Sequence, residues 1–149
     1  MNRPDKYNAL SDDLLQAIGD KVRELDGDMA IRGIVLTGTD KYFSTGADLG
    51  SALKAQDLPS THAMLSHFEH CNRAIERSRK PVIAAINGFC LTGGLEVALA
   101  CDIRIAGSGS KFGVTSSKIG SVAGAGGTQR LPRAVGKEWA KDLLFSADF

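Results

Sequence analysis

Short apolar runs alternate along this chain with segments whose apolar residues recur at helical spacing, and this alternation limits the fold more than any other feature. Gly33 to Thr37 (GIVLT) and Val82 to Ile86 (VIAAI) are continuous, rich in β-branched residues and too short for helices. Both predict strands, the first of them buried on both faces. Before the first run, Leu14, Leu15, Ile18, Val22 and Leu25 fall on one helical face behind a capping Ser11, and Asp26-Gly27 closes the segment. A loop is expected from Thr39 to about Pro59. Met64, Leu65, Phe68, Cys71 and Ile75 then form a second helical stripe, and Pro81 opens the second strand, which Asn87-Gly88 stops. Gly93 to Ala100 reads as a helix start, Asp102 to Ala106 and Lys111 to Thr115 as strands, and Gly136 to Ser146 as the start of a last helix. The alternation predicts an α/β fold with much parallel pairing.

A chain of 149 residues with 43% hydrophobic residues can bury one core, so residues 1–149 are expected to form a single domain. A formal charge of +1, without blocks of like charge, gives no electrostatic case for nucleic acid or an anionic membrane, and favours a small-molecule partner. The apolar stretches break well short of a spanning helix and the N-terminus lacks a charged-then-apolar signal pattern, so a cytoplasmic or mitochondrial-matrix location is expected. Cys71, Cys90 and Cys101 are odd in number and lack CxxC spacing, which favours buried reduced thiols over disulfides or zinc. His67 and His70 are spaced i, i+3, but neither His62 nor any other residue supplies a third ligand at suitable spacing. A packed or solvated helix face is expected there, and no metal site.

The glycine cluster Gly120 to Gly127 invites a phosphate-loop reading. It fails, because the third glycine of a dinucleotide fingerprint would fall at Gln129, and neither GxxxxGK[ST] nor GxSxG occurs. Two glycine-bearing junctions are better placed for chemistry: Phe43-Ser44-Thr45-Gly46-Ala47-Asp48 and Thr92-Gly93-Gly94-Leu95-Glu96. Glycine at a helix start lets a substrate approach the backbone, where the first N–H groups lack internal partners. Glu96, three positions after Gly93, puts a carboxylate on the same side of the helix as that donor, which is the arrangement of an oxyanion hole with an acid/base beside it. The plain alternative is a glutamate that complements the helix dipole, worth ~0.3–1 kcal/mol. Asp48 alone reads as a turn cap, and Asp102 and Arg104 as structural.

Five ordered stretches carry a resemblance: Asn2-Arg3-Pro4 with Asn8-Ala9-Leu10, Gly33 to Gly38, Phe43 to Leu49, Pro81 to Gly88, and Gly126-Gly127-Thr128-Gln129-Arg130-Leu131. Together they resemble the crotonase (enoyl-CoA hydratase/isomerase) family from end to end. The resemblance implies an α/β spiral of repeated ββα units that binds acyl-CoA thioesters and stabilises an enolate. It assigns the oxyanion-hole amides to Ala47 and Gly93 and makes Glu96 the first catalytic glutamate. Substrate contacts are implied for Lys6, Tyr7 and Ala9, in the Asn2 to Leu10 loop that follows the pantetheine arm, and for Gly46, Asp48, Leu49 and Gly94. CoA is part of the substrate, so no separate cofactor is implied.

The second catalytic position of hydratases corresponds to Ser116, where the family has glutamate. A hydroxyl cannot serve as a base at neutral pH, so Ser116 bears on the two-glutamate addition of water. Phe112-Gly113, Thr115, Lys118 and Gly120-Ser121 also resemble the dihydroxynaphthoyl-CoA synthase branch, in which a bound bicarbonate stands in for that acid. The expected activity is hydration of a 2-enoyl-CoA; the alternatives are isomerisation or carbon–carbon bond chemistry on a CoA thioester, and a catalytically weak acyl-CoA-binding protein. Family members form trimers, often paired into hexamers. Relative to them this chain is expected to lack the first strands and the C-terminal helices.

Overall fold

Consecutive strands alternate between two sheets. In the computed structural model, which describes residues 1–149, β1 (Ile34–Thr37), β3 (Val82–Ile86) and β5 (Ile103–Ala106) form one sheet in that order. A second sheet has the order β2 (Tyr42–Ser44), β4 (Phe89–Leu91) and β6 (Lys111–Gly113). All pairings between these strands are parallel: Ile34 lies opposite Val82 and Ile83 opposite Ile103 in the first sheet, Tyr42 opposite Phe89 and Phe89 opposite Lys111 in the second. Helical chain follows each strand pair: α2 (Leu49–Ala52) and α3 (Leu58–Glu76) after β2, α4 (Gly93–Ala100) after β4, and a 3-10 helix (Thr115–Ile119) with α5 (Gly127–Val135) after β6. This is the expected spiral of ββα units, with α1 (Asp12–Gly27) ahead of it and α6 (Lys137–Ser146) behind.

The helices form where the sequence supplies caps and stripes. Ser11 Oγ accepts from the Leu14 amide at 3.4 Å, and Leu15, Ile18, Gly19 and Val22 are the buried stripe of α1. At the start of α3, Asp57 Oδ1 accepts from the Ser60 amide at 2.9 Å while Ser60 Oγ accepts from the Asp57 amide at 3.2 Å, a reciprocal cap. The two helices pack together, and His70 sits over Gly19 with Gln16, Asp20 and Arg23 around its ring. The core gathers Leu10, Leu15, Phe43, Ile75, Val82, Ile86 and Leu131. Cys71, Cys90 and Cys101 are free and buried, and burial pushes each thiol up to about 12, so all three are unreactive at neutral pH. No helix is long and apolar enough to cross a membrane.

Several sequence expectations need correction. The Thr39 to Pro59 loop contains β2 and α2, and α3 begins at Leu58. β2 and β4 each have three residues, too few to show a period, and α2 is a single turn started by Asp48. The strand expected over Lys111 to Thr115 ends at Gly113, where the chain turns into the 3-10 helix. β1 is not buried on both faces: Ile34 is buried but Val35 is 63% exposed, and all of β5 is exposed. One face of this sheet, carrying Val35, Ile103 and Ile105, has no layer packed over it. The glycine cluster leads into α5, which had not been expected: Gly126, at φ +102°, turns the chain into a helix that opens at Gly127.

Candidate active site

The two glycine-bearing junctions meet in space. A Cβ placed on Gly46 would stand 3.1 Å from the Gly93 nitrogen, and one on Gly93 would stand 3.3 Å from the Ala47 nitrogen. Gly46 needs its φ of +100° to bring the chain this close. The residues flanking Ala47 are fastened: the Gly46 carbonyl accepts from the Leu10 amide at 2.8 Å, the Asp48 amide donates to the Leu10 carbonyl at 3.0 Å, and the Gly46 amide donates to Ser44 Oγ at 3.2 Å. Ala47's own amide donates to no acceptor in the chain. Gly93 is the first residue of α4, where the helix offers its N–H no acceptor. Two neighbouring backbone donors without partners, one at a helix N-terminus, have the chemistry to stabilise a negative oxygen. The Phe68 ring, 3.0 Å from a Cβ on Gly93, walls one side of it.

Thr92 holds the second donor in place under strain. Its φ of 47° and ψ of −113° are rare for a residue with a β-branched side chain. Three bonds impose them: the Thr92 amide donates to the Gly113 carbonyl at 2.8 Å, Thr92 Oγ1 accepts from the Thr115 amide at 3.1 Å, and the two threonine hydroxyls lie 2.9 Å apart. The same bonds tie the 3-10 helix to the start of α4. Ser116, next along that helix, is therefore brought to this end of the site; it is buried, and its hydroxyl makes no hydrogen bond within the chain.

One turn further along α4, the Glu96 amide bonds the Thr92 carbonyl at 2.9 Å and the side chain turns inward, leaving the residue 4% exposed. Oε1 accepts from the Gly127 amide at 2.8 Å, and the Ala125 amide, outside hydrogen-bonding geometry, faces the same carboxylate. Burial raises the carboxyl's pKa to about 7; the Gly127 amide, the Ala125 amide and the Arg130 charge, in that order, oppose the rise. A group poised there exchanges protons readily in either direction near neutral pH. Gly127 allows the contact, since a Cβ on it would stand 2.9 Å from Glu96 Oε1 and 2.8 Å from the Ala123 methyl.

The other residues singled out from sequence are spread around this centre. Tyr7 to Leu10 run alongside Thr45 to Ala47, joined by Thr45 Oγ1 to the Tyr7 carbonyl at 3.3 Å and by the Leu10–Ala47 bridge. Lys6 and Tyr7 are exposed, with the Tyr7 ring edge-on to Tyr42 at 5.1 Å; Ala9 is half-buried. Asp48 caps α2 by accepting from the Gly50 amide at 2.9 Å and pairs with Arg3 at 3.1 Å, and these contacts hold its carboxyl below the usual range. Leu49 is exposed, and Gly94 lies against Ser44, where a Cβ would come within 2.7 Å. Asp102 accepts from the Val82 amide at 2.8 Å, and Arg104 donates to the Cys101 carbonyl at 2.6 Å at the end of α4. Sequence reasoning missed the groups that face the Glu96 carboxylate, from Ala125, Gly127 and Arg130, and also Asn72, which bonds the Ala125 carbonyl. The Gly126 to Leu131 stretch was conspicuous, but nothing in its spacing ties it to a side chain 31 positions earlier.

Residues 1–148 match the family model described as enoyl-CoA hydratase/isomerase. The chain belongs to that family. It is 44% identical over 154 residues to the crotonyl-CoA hydratase of Syntrophomonas wolfei, a match covering 99% of this chain and 57% of that protein. With the mitochondrial enoyl-CoA hydratase of Pongo abelii the identity is 41%, covering 99% of this chain and 50% of the relative. The crystal structure of the Bacillus anthracis enoyl-CoA hydratase superposes with a TM-score of 0.90 at 36% identity, over 97% of this chain and 56% of that one. That of the Thermoplasma volcanium enoyl-CoA hydratase does so with a TM-score of 0.90 at 38% identity, over 98% of this chain and 58% of that one. The chain thus spans about half the length of the curated relatives it matches.

Proposed function

We propose that this protein adds water across the double bond of a 2-enoyl-CoA thioester. The observation that carries the reading is the pair of free amides at Ala47 and Gly93, with a buried carboxyl of pKa about 7 one turn along the same helix. The amides hold the thioester carbonyl oxygen. Glu96, ionised, takes a proton from water as the oxygen attacks the β-carbon, and the electron pair of the double bond moves through the α-carbon onto the carbonyl oxygen. The two N–H donors stabilise that enolate, and losing one typically costs 10²–10³ in rate. Collapse of the enolate takes a proton at the α-carbon from protonated Glu96, so water is added in full and the carboxylate is regenerated. The family resemblance and the crotonyl-CoA hydratase relative support this substrate class.

A second reading is favoured by Ser116. A hydroxyl at the second catalytic position can hold water but not deprotonate it, whereas moving a proton along an acyl chain needs one carboxylate, so double-bond isomerisation is the alternative. A third outcome, acyl-CoA binding without turnover, is separated by the same experiment. Crotonyl-CoA is incubated with the protein and loss of the conjugated thioester absorbance is followed. Conversion to the 3-hydroxyacyl product supports hydration; isomerisation of a 3-enoyl-CoA without hydration, or binding without either, overturns it. We further propose the family's homotrimeric or hexameric assembly, consistent with the uncovered Val35, Ile103 and Ile105 face; a monomeric mass by light scattering overturns it.

A further inference from the structure

Asn72 hydrogen-bonds neither the free amides nor Glu96, yet its side chain is committed to the loop that holds Glu96. It lies on α3, 2% exposed, and its Nδ2 donates to the Ala125 carbonyl at 3.0 Å. Its Oδ1 is buried without any partner. The same Ala125 carbonyl accepts from Arg130 Nη1 at 2.9 Å, and Arg130 Nε reaches back to Glu76, on α3, at 2.7 Å. The Ala125 carbonyl is thus gripped from α3 and from α5, while the Ala125 and Gly127 amides face the carboxylate. For packing alone, asparagine is a poor choice here: an orphan buried carbonyl oxygen costs free energy that an apolar side chain of similar size would avoid.

We propose that Asn72 is a positioning residue for Glu96: by holding the Ala125 carbonyl it keeps the amides of the Gly124 to Gly127 loop against the carboxylate and so sets how readily that carboxylate ionises. The inference deepens the hydratase reading by making Asn72 serve its acid/base, and its test does not depend on turnover. Arg130 on α5, whose partner is Glu76, is the charge that acts on Glu96; a cleft of about 430 Å³ beside Asn72 and the loop is also lined by His62 and by Glu69 and Arg73 on α3, which pair with each other at 3.2 Å. Asn72 carries no charge of its own, so any effect of replacing it on ionisation passes through the loop.

The experiment titrates Glu96 directly. Protein labelled with carbon-13 at the glutamate carboxyls is followed by NMR against pH, with the Glu96 signal assigned by its loss in Glu96→Gln. Asn72→Leu removes the donor and the orphan oxygen together, so it is expected to fold with undiminished stability. Freed from one of its two anchors, the loop should relax from the carboxylate, and Glu96 should bind its proton about tenfold more tightly, an upward shift of roughly one unit. Asn72→Ala, which only removes atoms beside an open cleft, should give the same shift if leucine proves too bulky. A Glu96 midpoint unchanged in a folded variant overturns the inference, as does failure of both variants to fold, which would make Asn72 a residue of the fold alone. A shifted midpoint in a protein that does not turn over crotonyl-CoA supports the inference and sinks the hydratase reading. Turnover with an unshifted midpoint does the reverse.

Discussion

The Gly127 amide donates to Glu96 Oε1 at 2.8 Å, joining the start of α5 to the first turn of α4 across 31 positions of sequence. It is a charge-assisted bond inside the fold, and it opposes the burial that otherwise drives the carboxyl's pKa upward. The compromise near 7 makes Glu96 usable as base and acid in one cycle.

Glu96→Gln keeps the shape and can still accept from Gly127, but it cannot carry a proton. Hydration of crotonyl-CoA should fall by about 10²–10⁴. In the unaltered protein kcat/KM should rise with pH through about 7, since the base is needed ionised when water attacks. A pH profile without an inflection in that region, or a rate reduced less than threefold, would return Glu96 to the role of a dipole partner.

The same group makes stability depend on pH. Its folded pKa, about 7, lies above the ordinary 4.5, so between these values the folded protein keeps a proton that the unfolded chain releases. Stability from this source is full below 4.5 and is lost as pH rises through about 7, by up to roughly 3 kcal/mol. Urea midpoints at pH 5 and pH 8 should therefore differ more for the unaltered protein than for Glu96→Gln. Equal differences would show that the glutamate is solvated.

Gly93→Pro deletes one of the two free amides at a position where helices accept proline. Because any Cβ there presses on Phe68, Gly93→Ala serves as the control: it adds the same contact and keeps the N–H. Turnover should drop about 10²–10³ further in the proline variant than in the alanine one. Similar rates for the two would remove Gly93 from the oxyanion site.

Ser116→Glu should raise hydration, by about tenfold or more, because a second carboxylate can orient and deprotonate the attacking water. Bicarbonate should stimulate the natural protein and leave the glutamate variant unmoved if an external anion fills the space beside Ser116. A folded variant without gain would argue for isomerisation or carbon–carbon bond chemistry, and equal bicarbonate responses would exclude the borrowed base.

Legibility in the sequence followed the length of the signal. The five-residue VIAAI run and the stripes of α1 and α3 carry enough residues to show a period, and each was found close to its limits. β2 and β4, three residues each, could not announce themselves, and they form the sheet that delivers Ala47 and Gly93 to each other. The glycines at both junctions were readable because a close backbone approach demands them. What surrounds Glu96 was not, since Ala125 and Gly127 act through backbone amides from a distant segment and Asn72 through a side-chain bond to the Ala125 carbonyl. Thr92, strained at a position where glycine would sit easily, gave no sign of its conformation; only its bonds to Gly113 and Thr115 explain it.

The alternation of strands between two sheets also orders events in time. No strand pairs with the strand next to it in sequence, so no hairpin can nucleate either sheet. Ile83 and Ile103 are 20 positions apart and Phe89 and Lys111 are 22, whereas Ile34 and Val82 are 48 apart. Closing the longer loop costs roughly 0.8 kcal/mol more in chain entropy, and pairings of this separation are slow to form. The later strands should therefore join first, with β1 and β2 docking onto an existing template. In pulse-labelled hydrogen exchange during refolding, amides bonded between β3 and β5 should gain protection before those between β1 and β3; the opposite order would mean that the spiral winds from its N-terminal turn.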